Sequence, residues 1–485
     1  MLSRDHRLDP GYVRASEPDA HARWLLADQA SRTLSKAGGN EIPALADEAR
    51  VVHLSVPVGN VEPLRWLREQ RLDSKLYWSG RGDGMEIAAV GVADLQESDA
   101  PETPAALHKR IAPLLQSGDA RARSLTRYYG GLRFDTSHEP EEEWRSFGAY
   151  RFVLPRFELR RRLGESILIC NLVLPRDADR FEEVLDQIEQ LNFPPGPSDA
   201  PETLPRPIHR RDLPDLNGWT RNIECALAAF EEGRLDKVVL ARRAEFEFED
   251  DVDPALLVER LKATTPGCFH FYVEPEEGVT FVGATPERLF RRDGKSIRSE
   301  AVAGTRPRGV SEADDDELRE ELLGSAKDRA EHSYVRVSIG EVLEPLCEEL
   351  EVEDLTSEMK LARGRHLVSR VRGTLREGVT DAEVLGALHP TPAVGGYPRG
   401  EALKEIGDLE PFDRGWYAGP IGWIGADASE FAVGLRSGLV RGRSLALYSG
   451  AGIVAGSTPD GEWAEIEQKI GDFIRVFGLE PDTPA

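Results

Sequence analysis

Residues 268–309 constrain the fold more than any other stretch. "CFHFYVEP" (268–275) and "TFVGATPERLFRRDGKSIRSEAVAGTRPRG" (280–309) hold short apolar and β-branched runs broken only by turn residues. Several strands in succession exclude the strict strand–helix–strand alternation of a parallel α/β protein. Strands recur elsewhere. "EARVVHLSVPV" (48–58) and "GMEIAAVGVADL" (84–95) have β-branched cores and turn residues at their edges. "FAVGLRSGLVRGRSLALYSGAGIVA" (431–455) reads as two strands turning at Arg441-Gly442, then a glycine-rich loop.

Long helical patterns lie among the strands. Phe181, Val184, Leu185, Ile188 and Leu191 share one face of a helix over 180–193. Trp219, Ile223, Ala226, Leu227 and Phe230 do the same further on. Gly233 then fits a C-terminal cap, and the apolar run after it predicts a strand from about Lys237. A helix is predicted over 325–350, capped by Ser325, with Val335, Ile339, Val342, Leu343 and Leu346 as its stripe. "GEWAEIEQKIGDFIRVFGL" (461–479) closes the chain as an amphipathic helix. Strands mixed with long helices predict an α+β fold. The clearest boundary is 192–215, whose seven prolines block helix interiors and sheet ladders and predict an exposed connection.

Composition narrows the function. No apolar run is long enough to span a bilayer, and the N-terminus lacks the apolar core of a signal peptide, so a cytoplasmic protein without membrane insertion is expected. The cysteines, Cys170, Cys225, Cys268 and Cys347, have neither metal-ligand nor disulfide-framework spacing. A net charge of −25, from 86 acidic against 61 basic residues, disfavours nucleic acid and anionic membranes as partners. Only 10 of the basic residues are lysine. Abundant carboxylates with depleted lysine point to a salt-adapted, halophilic protein, because molar salt shortens the Debye length to about 3 Å and screens self-repulsion.

Among so many acids, sequence context selects candidates. Glu287 follows an apolar strand and a Thr-Pro turn. It is either a turn residue capping the next segment or a carboxylic acid of raised pKa at a pocket wall. Glu331 lies near a helix start, where a carboxylate complements the dipole. Glu465 and Lys469 are placed for an i,i+4 ion pair, and with Glu462 they also share one face. Two carboxylates with substrate oxygens and waters would suit Mg²⁺, although spacing alone does not pair Glu331 with Glu465. The glycines of "YSGAGIVAGSTP" (448–459) match no nucleotide-binding motif, but small residues with free amides can hold a carboxylate. Lys237 heads a buried strand. It either snorkels or is desolvated, and desolvation would lower its pKa from about 10.4 and let it act as a base.

Taken together, "KVVLARR", "FVGATPERLF", "AVAGTRPRG", "KDRAEH", "HPTPAVGGYP", "LEPFDRGWYAGPIGW", "YSGAGIVAGSTPDGEWAEIEQK" and a final "FGL" resemble the chorismate-utilising enzymes, and most of all isochorismate synthases of the menaquinone type. The N-terminal segments "YWSGRGDGMEIAAVGVA" and "YYGGLRFD" strengthen that likeness, which spans roughly 74–480; the first 70 residues add nothing to it. The resemblance implies antiparallel sheets flanked by helices around a central active site, as in anthranilate synthase component I. It implies that residues 1–215 complete the fold of a chorismate-binding core at 216–480.

The resemblance also implies roles. Lys237 is the expected general base that activates water, and Glu287 the general acid that protonates the departing hydroxyl. Glu331 and Glu465 are the expected Mg²⁺ ligands. Arg436, Lys469 and the amides around Gly450, Ala451 and Gly452 are expected to hold the carboxylates of chorismate, with Thr305, His366 and His389 lining the pocket. Ammonia-using relatives usually carry Gln at the position of Lys237, and the aminodeoxychorismate type often has Lys at that of Ala303. Both positions here point to water as nucleophile. The expected reaction is Mg²⁺-dependent conversion of chorismate to isochorismate for menaquinone synthesis, by a monomer or weak homo-oligomer. The alternatives are a salicylate synthase, which would go on to eliminate pyruvate, and a non-catalytic chorismate-binding subunit. The melting temperature of a salt-adapted chain should rise with KCl concentration, and full stability in low salt would refute the salt adaptation.

Overall fold

The computed structural model describes residues 18–38, 49–82, 84–100, 104–193, 203–354 and 356–478. The proline-rich connection over 194–202, the N-terminal stretch through residue 17 and the final Leu479 lie outside the described residues. Alternating apolar runs become strands as their periodicity requires. Before the proline-rich stretch these are β1 (Arg50–Gly59), β2 (Lys75–Ser79), β3 (Met85–Ser98), β4 (Arg127–Leu132), β5 (Tyr150–Arg162) and β6 (Glu165–Leu174). Next come β7 (Pro207–Leu213), β8 (Lys237–Phe248), β9 (Phe269–Glu276), β10 (Val279–Thr285), β11 (Arg288–Asp293) and β12 (Ser296–Pro307). Then follow β13 (Cys347–Val352), β14 (Ser357–Lys360), β15 (Gly364–Leu375) and β16 (Gly396–Tyr397). The last are β17 (Pro420–Gly425), β18 (Ala428–Val433), β19 (Ser437–Arg441) and β20 (Ser444–Ile453).

All these strands connect through antiparallel ladders, and the network forks at β5. One edge of β5 is taken along its whole length by β3. The other is shared by β4 near Tyr150–Val153 and β6 near Phe157–Arg162. The first arm runs β5-β3-β2-β9-β10-β19-β20-β8, with β7 and β16 sharing the far edge of β8. The second runs β5-β4-β17-β18-β11-β12-β15, with β13 and β14 on the far edge of β15. Strands from before the proline-rich stretch therefore pair directly with later ones, β2 with β9 and β4 with β17. Trp144, Phe147, Phe281, Trp416 and Tyr448 pack ring against ring in the core, with centroids 5.2–5.8 Å apart in the pairs that Trp144 makes with Phe147, Phe281 and Tyr448. Trp416 joins through Phe147 at 5.2 Å.

Three expectations are corrected. The glycine cluster at 450–452 is part of β20, laddered against β8 from Ala241 to Val239, because residues without side chains still supply both backbone groups to a ladder. The predicted long helix stops at Leu343. Pro345 sits in a short 3₁₀ turn, and Cys347 opens β13. The proline-rich stretch ends in β7, an edge strand. Its Pro207 is the first residue, where no ladder donor is lost, and the register shifts beside it. Other readings match. Ser325 caps the Ala326–Leu343 helix by accepting from the Asp328 N–H, Gly233 has φ +71°, and β8 begins at Lys237. The closing helix runs Pro459–Ile474, capped by Thr458. Among the described residues, no helix is long and apolar enough to cross a membrane.

The fork depends on close backbone approach. A Cβ on Gly130 in β4 would lie 1.8 Å from the Arg151 carbonyl of β5. Gly130→Ala must push β4 off β5 and is expected to cost about 3 kcal/mol or more, read as a lowered urea midpoint. An unchanged midpoint would show that the fork does not need this contact.

Candidate active site

The chain crosses between the two arms after β10, through Pro286 and Glu287, and returns after β18, through Gly434 to Arg436. The crossings run side by side and bond to each other. The Val433 N–H donates to the Glu287 carbonyl, and the Ala284 N–H to that of Arg436, both at 3.1 Å. Arg436 holds φ +46°, a left-handed conformation uncommon outside glycine. Such strain is found where surrounding structure over-determines a functional group. Both residues open on a cavity of about 110 Å³ between the arms. Glu287 is 5 % exposed, and burial pushes its carboxyl up to about 8; Glu300 adds to the rise, while Lys237 and Lys469 oppose it. At neutral pH this carboxyl carries a proton.

Lys237 is fully buried, so it does not snorkel. Its Nζ donates to Glu331 Oε1, on the cavity wall, at 3.0 Å. Gly452 makes room for the pair. A Cβ there would lie 2.2 Å from Glu331 Oε1 and 3.2 Å from Lys237 Cε. Glu331 projects from the Ala326–Leu343 helix and Glu465 from the Pro459–Ile474 helix, and both line the cavity. Lys469, one turn after Glu465, donates to Glu465 Oε1 at 2.8 Å and to the Gly450 carbonyl at 2.9 Å. Burial alone would raise the Glu465 carboxyl, but Lys469 and other nearby cations outweigh it and hold the group below its ordinary range. The i,i+4 pair is thus present and opens on the cavity. Glu462, on the same helix, turns instead to Lys327, at 2.7 Å.

Thr305 and His366 come from paired positions on β12 and β15. Arg436 Nη2 donates to His366 Nε2 at 3.2 Å. Arginine offers only donors, so Nε2 is an acceptor and the ring proton sits on Nδ1. From there it faces the Gly304 carbonyl at 3.2 Å and Thr305 Oγ1 at 3.1 Å. Burial, with Arg436 and Lys469 nearby, lowers His366 to about 3, so the ring is neutral. Gly450 and Gly452 line the cavity, whereas Ala451 is buried and is not among the lining residues. His389 is also outside the lining. Its Nε2 lies 3.0 Å from the Phe134 carbonyl, and its ring packs edge-on against Phe134.

Sequence reasoning missed Val239, Tyr417 and Ser449, all of which line the cavity. Strand alternation from Lys237 would have found Val239. No spacing announces Tyr417, which stacks on Tyr448 at 5.5 Å. The donor set suits a hard cation. Glu331 and Glu465 are carboxylates from facing helices, and no cysteine lines the cavity. Among the described residues, no group of three or more His, Cys, Asp or Glu side chains is arranged to hold a metal. A cation between these two would therefore take its other ligands from substrate and water, as Mg²⁺ commonly does.

Comparison with known proteins shows the family of the chain. Residues 36–478 match the family model described as chorismate binding enzyme. The chain is 32 % identical over 452 residues to isochorismate synthase MenF of Escherichia coli, covering 91 % of this chain and 96 % of that one. The solved structure of the Escherichia coli MenF superposes with a TM-score of 0.79 at 30 % identity, covering 94 % of this chain and all of that one. A chloroplastic isochorismate synthase of Catharanthus roseus is 35 % identical over 367 residues, 73 % of this chain; the chain spans 63 % of that relative's length. Anthranilate synthase component I from Streptococcus pneumoniae shares the fold, with a TM-score of 0.68 at 20 % identity, covering 82 % of this chain and 93 % of that one. The protein belongs to the chorismate-binding enzyme family.

Proposed function

We propose that this protein is an isochorismate synthase that converts chorismate to isochorismate with Mg²⁺ and feeds menaquinone synthesis. The observation that carries the reading is one cavity lined by a neutral, buried Glu287, by Arg436 and Lys469, and by Glu331, which the buried Lys237 reaches from behind the lining. Chorismate is a dicarboxylate. Arg436 and Lys469 meet its carboxylates, and the backbone at Gly450 and Gly452 lets the ring approach closely. Mg²⁺, held by Glu331 and Glu465, would supply positive charge for the ring carboxylate.

In the proposed reaction, water oxygen bonds to C2 while the C4–O bond breaks and the ring double bond shifts. The attacking water gives a proton to Lys237. The departing hydroxyl takes one from Glu287 and leaves as water. Hydroxide is neither an available nucleophile nor a good leaving group at neutral pH, so acid and base are both required. Lys237 donates to Glu331 in the resting arrangement, and the proton it carries there must leave before it can accept another.

Lys237→Ala and Glu287→Gln are each expected to lower kcat by about 10²–10⁴-fold. Full activity in either variant would remove that residue from the mechanism. The free enzyme needs protonated Glu287, so kcat/KM should fall as pH rises through about 8. In Glu287→Gln, that limb should be absent from the residual activity. Chromatography of products from chorismate should show isochorismate with Mg²⁺ and none after chelation. Stoichiometric pyruvate would instead mark a salicylate synthase, and binding without turnover a non-catalytic subunit.

A further inference from the structure

Strand β8 has a gap on one edge. β16 covers Lys237 and Val238, and β7 covers Arg243 to Phe248, ending with Leu213 opposite Arg243. Between them, among the described residues, no strand meets that edge, yet three of its polar groups have partners. The Val239 N–H donates to the Gly395 carbonyl at 2.8 Å. The Val239 carbonyl accepts from Arg414 Nη2 at 2.7 Å, and the Ala241 N–H donates to Glu410 Oε1 at 2.7 Å. Arg414 and Glu410 also hold each other, Nε to Oε2 at 2.8 Å and Nη2 to Oε1 at 2.5 Å. The remaining Arg414 nitrogen, Nη1, donates to the Val394 carbonyl at 2.9 Å. Both side chains are almost fully buried, and the guanidinium lies 4.3 Å from the centre of the Phe134 ring.

We propose that Glu410 and Arg414 are positioning residues that complete the ladder of the strand carrying Lys237. The pair replaces a missing strand with one acceptor and one donor, at residues two and four positions beyond Lys237. Through Val394 it ties that strand to the neighbouring segment of the cavity wall, because Val239 and Val394 both line the cavity. Only a planar guanidinium reaches two carbonyls and a carboxylate at once from a fixed geometry. A lysine ammonium cannot hold that fork. The sheet thus stays open beside the cavity, and the Val239 N–H, the Val239 carbonyl and the Ala241 N–H all keep partners. The catalytic consequence rests on the proposed function; the clamp itself does not.

Two measurements on Arg414→Lys and Glu410→Gln decide the matter; the latter keeps an oxygen acceptor for Ala241 and stands in if the former fails to fold. Hydrogen exchange should accelerate in the 237–242 segment more than in 243–248. Unchanged exchange there overturns the clamp whatever reaction the enzyme catalyses. With chorismate, kcat should drop about tenfold or more while KM stays within about threefold, since small misplacements of a reacting group cost that much. The drop should vanish in a Lys237→Ala background. An equal fold-loss in both backgrounds, or no loss in either, overturns action through Lys237. Failure of the wild type to convert chorismate would refute the proposed function and leave the exchange result to decide the clamp.

Discussion

The site depends on one constraint: the chain must pass between two arms of an antiparallel sheet without leaving buried backbone unpaired. Two of its passages, after β10 and after β18, satisfy each other through the Val433–Glu287 and Ala284–Arg436 backbone bonds. This mutual pairing places Glu287 and Arg436 on the cavity wall between the arms. It also accounts for the left-handed backbone at Arg436, since the return crossing must turn into β19 within three residues while staying bonded to its partner. Scaffold and site are therefore not separable here. The hydrogen bonds that join the arms also aim the side chains.

Electrostatics follows from the same placement. A chain of net charge −25 repels a dianion at long range, so attraction has to be local. Arg436 and Lys469 supply it inside the cavity. Burial removes one opposing charge by keeping Glu287 protonated at neutral pH, which also readies it, on the proposed reading, to protonate a leaving group. The His366 proton is placed by the same logic. Arg436 demands an acceptor at Nε2, and the Gly304 carbonyl and Thr305 take the proton on the other side.

Much of this was legible in the sequence, because period and punctuation carry local information. Lys237 opens its strand as read, Ser325 caps its helix, and Gly233 adopts positive φ. Glu287 stood out by its apolar context, and burial is what raises its pKa. The failures share a cause, which is tertiary pairing. Gly450, Ala451 and Gly452 read as a loop, since small side chains do not mark them as strand; β8 makes them one. Pro207 read as a ladder breaker but sits at the one strand position where a missing N–H costs nothing. His389 came from a motif beside the cavity and serves Phe134 instead. Glu331 and Glu465 are 134 residues apart, and no periodicity links two helices that meet only in the folded chain.

Lysine usage closes the physical argument. The chain favours arginine wherever a fixed charge suffices, as at Arg414, where a planar fork bridges two carbonyls and Glu410. At 237 it retains lysine, and the structure buries it completely beside a carboxylate. Burying a long amine is costly unless its charge is paired. Glu331 provides that pair, and the small Gly452 admits both. A guanidinium would be easier to satisfy there, with five donors and weaker hydration, but it cannot give up its proton. A permanent charge would therefore have been met more readily by the residue the chain otherwise prefers. What distinguishes lysine at this position is the one property arginine lacks, an amine able to exist without its charge.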